Sequence, residues 1–288
     1  TYSLEGEADI CAHEVHLSPI GISLTTSTPQ GRIPLASPLG GRYNIYNILA
    51  AVGTACSLKV GPEEIRRGIG SLRGVPGRFE RVEAGQDFSV IVDYAHTEDA
   101  LERLLRAARE VSPSRLITVF GCGGDRDKGK RPRMGKVAIS YSDHTFITSD
   151  NPRSEDPEAI LLDIVQGFRQ EVIHMDGQDG QDRRILLDIV QGSRQEVQEN
   201  PGVQATTGKP FLGGGRYEVV VDRQEAIQRA IRSAGPGDIV VIAGKGHETY
   251  QILQDRTIHF DDREVAREVI QLRMQNEKCK VKKDFQHG

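Results

Sequence analysis

The sequence predicts an α/β protein whose larger part is a doubly wound, mostly parallel sheet. The first observation behind this is an alternation. From Phe88 onward, short apolar runs of strand length are separated by segments with helical spacing, an order that implies parallel crossovers. The second is composition: 37% of the 288 residues are hydrophobic, enough for a core, with no apolar run long enough to cross a bilayer. The third is that several of these strands end in polar clusters, and open α/β sheets bind ligands beyond the carboxyl ends of their strands.

Residues 1 to about 40 read as short β segments broken by Gly, Pro and Ser: His13–Leu17, Gly21–Thr25 and Arg32–Leu35. Ile45, Ile48, Leu49, Val52 and Ala55 recur at helical spacing. Pro62 suits a first helical turn and opens a second helix to about Ile69. The run Arg73-Gly74-Val75-Pro76-Gly77-Arg78 reads as a linker, which sets a boundary between residues 1–77 and 78–288.

Beyond it, Phe88–Val92 is a strand, and Leu101, Leu104, Leu105 and Ala108 mark a helix. Leu116–Phe120 and Thr145–Thr148 are strands, and a helix starts near Asp156-Pro157-Glu158. Tyr217–Val221 is a strand, Arg223–Ser233 a helix, Asp238–Ala243 a strand and Arg263–Leu272 a last helix. Ile160–Gly167 returns unchanged as Ile185–Gly192, which reads as a local helix duplication or insertion around 173–197. The basic stretch 277–288 is expected to be a disordered tail.

The net charge of −4 gives no bulk attraction to nucleic acid. Cys11, Cys56, Cys122 and Cys279 are widely spaced and fit a reduced, cytoplasmic protein better than a disulfide framework or a zinc site. The opening Thr1–Glu7 has no signal-peptide pattern and no initiator Met, as in a segment of a longer chain.

Four clusters sit at strand ends: Asp93-Tyr94-Ala95-His96-Thr97, Gly121 to Arg131, Ser149-Asp150-Asn151-Pro152-Arg153 and Gly244-Lys245-Gly246-His247-Glu248. The glycine-rich one is a poor dinucleotide signal, since Arg126 occupies the third glycine position. No Gly-x-x-x-x-Gly-Lys-Ser/Thr phosphate loop occurs in the chain. Taken singly, Asp93 or Asp150 is an ordinary cap or turn residue, and His96, Arg78, Asn44 and Asn47 are ordinary polar positions. Their arrival at equivalent strand ends argues for a site.

Together, Gly41 to Ala51, Pro76-Gly77-Arg78-Phe79-Glu80, Asp93 to Thr97, Gly121 to Pro132, Asp150 to Arg153 and Gly244 to Glu248 resemble the diaminopimelate-adding (MurE-type) members of the Mur ligase family. The resemblance implies a C-terminal Rossmann-like domain preceded by the β-rich and helical end of a central ATPase domain. It implies amide-bond formation between a UDP-sugar dipeptide and meso-diaminopimelate in cytoplasmic peptidoglycan synthesis. ATP and Mg2+ would be used, through an acyl phosphate.

By position, Arg126, Asp150, Asn151, Pro152, Arg153, Gly244 and Glu248 match the diaminopimelate site. Asn44, Asn47 and Asp93 match ATP contacts, and Arg78 and His96 match catalytic positions. The distal end of diaminopimelate carries a carboxylate and an ammonium. A guanidinium such as that of Arg153 suits this distal carboxylate, which has no counterpart at the far end of lysine. The family's phosphate loop and magnesium-associated lysine have no counterpart here, so the chain is expected to be inactive alone, with no metal ligand of its own. The partners implied are small molecules, with neither nucleic acid nor membrane, and a monomer is expected. The alternatives are a non-catalytic amino-acid-binding module and a lysine-adding relative. One departure is Glu98, where the family usually has Pro after Asp-Tyr-Ala-His-Thr; Glu also suits a helix start.

Overall fold

A computed structural model describes residues 1–18, 20–169 and 216–284. The chain divides into two compact units, one comprising Thr1–Glu80 and Ala107–Ser112, the other Arg81–Arg106 and everything from Pro113 onward. The duplicated helix copy at 185–197 lies outside the described residues.

In the first unit, a four-stranded sheet runs in the order β1 (Tyr2–Ser3), β2 (Ile10–Ser18), β3 (Gly21–Thr28), β4 (Gly31–Ser37). Alternate residues of these strands, among them Ile10, Ile22, Leu24, Ile33 and Leu35, form one face of a core. Helix α1 (Tyr43–Ser57) closes it with Ile45, Ile48, Leu49 and Val52, the spacing legible in the sequence. Helix α2 (Pro62–Ser71) starts on Pro62, with Glu63 and Glu64 in its first turn to complement the helix dipole.

In the second unit, a six-stranded sheet has the order β5 (Glu80–Arg81), β6 (Ser89–Asp93), β10 (Ile239–Ala243), β7 (Leu116–Phe120), β8 (His144–Ile147), β9 (Arg216–Val219). Strands β6, β10, β7, β8 and β9 are mutually parallel. β7 and β10 are buried throughout, as expected of strands covered on both faces. Helices α3 (Glu98–Glu110), α4 (Lys130–Tyr141) and α5 (Pro157–Arg169) follow the first three of these strands in sequence. α6 (Arg223–Ser233) and α7 (Asp262–Asp284) share a core with the sheet: Val92, Val119, Phe146 and Ile242 meet Ile227, Ile231, Val269 and Ile270.

The chain steps outward from β6 to β7, β8 and β9, then returns to insert β10 between β6 and β7. Such a reversal opens a crevice beyond the carboxyl ends of the central strands. Register brings those ends level, because Asp93 pairs with Ala243 and Phe120 with Ile147. All four polar clusters therefore leave the sheet at one edge.

Three features differ from the sequence expectation. α4 escaped notice because Pro132 and Gly135 interrupt its apolar period; Gly135 is where α5 approaches, since a Cβ there would fall 2.2 Å from Ile164 O. A hairpin of β11 (Tyr250–Ile252) and β12 (Thr257–His259) was also not foreseen. Finally, α7 does not stop at Leu272 or give way to disorder at 277. It is helical to Asp284, and the reason is that the run from Gln271 to Asp284 holds neither Gly nor Pro to break it.

Candidate amino-acid-binding site

The crevice holds a cleft of about 520 Å³. His96, Arg126, Asp150, Asn151, Arg153, Gly244 and Glu248, all singled out from sequence, line it together with Lys130 and Tyr250. Pro152 is buried between lining residues. Asp93 is buried at the end of β6, where its carboxylate accepts from Ala95 N at 2.8 Å. Asn44, Asn47 and Arg78 belong to the first unit. There Asn44 donates to Gly40 O at 2.6 Å and accepts from Asn47 Nδ2 at 2.9 Å, while Arg78 is exposed on a turn closed by its own N–H to Val75 O.

The Asp150–Arg153 loop is held by the unforeseen hairpin. Gln251 Nε2 donates to Asp150 O at 2.6 Å, Ile252 N to Asn151 Oδ1 at 2.9 Å, and Arg153 N to Ile252 O at 3.1 Å. Arg153 has φ of +53°, unusual for a residue with a side chain, and its guanidinium donates to Gly124 O at 2.8 Å. The glycine-rich loop after β7 is glycine-rich for contact with this segment. A Cβ at Gly121 would stand 2.1 Å from Thr148 O, and one at Gly124 would stand 1.9 Å from Pro152 O.

The two loops are also tied by charge. Glu155 accepts from Asp125 N at 2.6 Å and pairs with Arg131 at 2.8 Å and Lys128 at 3.1 Å. The Arg131 hydrogen bonds are the main cause that lowers the Glu155 carboxyl to about 2. Arg131 is fully buried and also reaches Asp163 at 2.9 Å. A second buried arginine, Arg223, pairs with Asp262 at 2.7 Å and donates to Ala243 O at 3.0 Å, bracing the end of β10.

Glu248 accepts from Asn151 Nδ2 at 3.0 Å and from Lys245 Nζ at 3.1 Å. Burial pushes the Asp150 carboxyl above the usual range, against the pull of Arg223 and Lys245. Arg126 is exposed at the rim and donates to Asp125 O at 3.0 Å. The cleft thus presents guanidinium groups and carboxylates side by side, the pattern that suits a zwitterionic ligand end. Cys122 adjoins it, but burial raises its thiol to about 12, so it is no nucleophile at neutral pH. Among the described residues no three His, Cys, Asp or Glu side chains gather to hold a metal ion.

Lys245, Arg131 and Arg223 were given no role in the sequence reading. Lys245 had a signal available: a lysine between two glycines in a strand-end cluster. The two arginines did not, because only the fold reveals that they are buried.

The family profile "Mur ligase, glutamate ligase domain" matches residues 77–246. The chain is 45% identical over 270 residues to the UDP-N-acetylmuramoyl-L-alanyl-D-glutamate–2,6-diaminopimelate ligase of Solibacter usitatus, covering 93% of this chain and 46% of that protein. It is likewise 45% identical over 276 residues to the enzyme of the same name from Synechocystis, covering 95% and 46%. A solved structure of a ligase of that name aligns with a TM-score of 0.64 at 33% identity, covering 95% of this chain and 47% of that one. The chain spans about half the length of the curated relatives it matches.

Proposed function

Because the chain belongs to the Mur ligase family, we propose that it is the amino-acid-selecting half of an ATP-dependent ligase that adds meso-diaminopimelate to UDP-N-acetylmuramoyl-L-alanyl-D-glutamate. One observation carries this reading: Arg126, Asn151, Arg153 and Glu248 line a single cleft at the switch point of the sheet. Arg153 and Arg126 would take the distal carboxylate of the incoming amino acid, and Glu248 its ammonium.

Held by its far end, the amino acid directs its other amine away from the cleft toward the activated partner. ATP, when bound, would supply the phosphoryl group that activates the partner's carboxylate as an acyl phosphate, with ADP leaving. The amine attacks that carbonyl, phosphate leaves, and the amine sheds a proton as the amide forms. The binding energy of the distal end orients the nucleophile and thereby speeds the attack. Within the second unit, Asp93 would contact the ribose of ATP and His96 would take a catalytic position; within the first, Asn44 and Asn47 would lie near the base and Arg78 would take a catalytic position. The described residues offer no magnesium cluster, so no step is assigned to that ion on this chain.

The test is an ATP-dependent ligation assay on the intact ligase, with UDP-sugar dipeptide and meso-diaminopimelate as substrates. Stoichiometric ADP and tripeptide product are expected. Amide formation without ATP consumption, or none with diaminopimelate, would overturn the reading.

A further inference from the structure

Resting on that amino-acid site, we propose that Lys245 is a positioning residue that sets the geometry and charge of the cleft without touching the ligand. Its side chain is fully buried, so it acts through its neighbours. An ammonium has three donors. Here Nζ meets Glu248 Oε2 at 3.1 Å and Asn151 Oδ1 at 3.2 Å, with Asp150 Oδ1 at 3.7 Å.

The consequences differ for each neighbour. Asn151 Oδ1 receives both Lys245 and Ile252 N, so the amide must turn its Nδ2 toward Glu248. Both donors to Glu248 converge on Oε2, which leaves Oε1 without a protein donor among the described residues and open to a ligand ammonium. Asp150 and Glu248 would otherwise place two carboxylates at the cleft, and one buried cation offsets one of them. The backbone turns Lys245 inward between Gly244 (φ +119°) and Gly246 (φ +54°), and a Cβ at Gly246 would strike Tyr94 Cβ at 2.6 Å. Lys245 thus tunes the site to a ligand end with a single ammonium.

The test is steady-state kinetics on the intact ligase carrying Lys245→Met, which keeps the side-chain length and removes the charge. KM for meso-diaminopimelate should rise about ten- to hundredfold, as expected for loss of charge-assisted bonds, while KM for ATP stays within about twofold. In a Glu248→Gln background the same change should cost much less, because the two groups act as a unit. A merely structural lysine would raise both KM values alike and show no such coupling, and that result would overturn the proposal.

Wild-type protein with ¹⁵N-labelled lysine keeps the test independent of whether the variant folds. One protected ammonium resonance should shift when meso-diaminopimelate is added, and a spectrum with no responsive ammonium would overturn the proposal. An intact ligase that works with another amino acid in place of diaminopimelate would overturn the site reading itself. An unchanged KM in Lys245→Met, beside a parent that uses diaminopimelate, would overturn only the role of Lys245.

Discussion

Asn151 and Glu248, 97 residues apart in the chain, are joined by a hydrogen bond of 3.0 Å between Nδ2 and Oε2. One residue follows β8 and the other follows β10, so the bond spans two strand ends separated by β7. Glu248→Gln keeps the shape but replaces the acceptor of a charge-assisted bond. KM for the amino-acid substrate is expected to rise about tenfold or more, with the KM for ATP little changed; substrate-saturation curves measure both.

The site stands on a buried ion pair. Arg223 and Asp262 are both fully buried at 2.7 Å, and Arg223 also donates to Ala243 O and to Ser149 O. Removing one partner strands the other charge away from water. Asp262→Ala should therefore lower stability by about 3–5 kcal/mol, seen as a reduced midpoint in urea unfolding.

Much of the site was legible because its residues crowd into short motifs at strand ends, and an alternating strand–helix pattern forces such ends to one edge. What tied them together was not. The hairpin 250–259 that clamps the Asp150–Arg153 loop is short and only partly apolar, and the sequence reading assigned no element between Glu248 and Arg263. Lys245 was named only as a member of its strand-end cluster and given no role, since its acceptor Asn151 lies 94 residues away. α4 was lost for a local reason, the Pro132 and Gly135 interruptions, and α7 was cut short because charge was read as disorder where no helix breaker stands.

Glu155 links pH to stability. Its carboxyl is lowered from 4.5 to about 2, chiefly by Arg131, so the folded state favours the ionised form. That stabilisation is complete above about pH 4.5 and is lost as pH falls toward about 2. Glu155→Gln should unfold more easily at pH 7 and show a flatter loss of stability between these limits, as chemical unfolding at a series of pH values would reveal. An identical pH slope in both proteins would argue against the pairing.

The central claim is that this cleft chooses an amino acid by its distal carboxylate and ammonium. The direct measurement is the ratio of ligation rates, kcat/KM, for meso-diaminopimelate over L-lysine in the intact ligase, before and after Arg153→Ala. A large preference for diaminopimelate is expected, falling roughly ten- to hundredfold in the variant as the guanidinium–carboxylate bonds are lost. A parent that prefers lysine, or a ratio unmoved by Arg153→Ala, would contradict it.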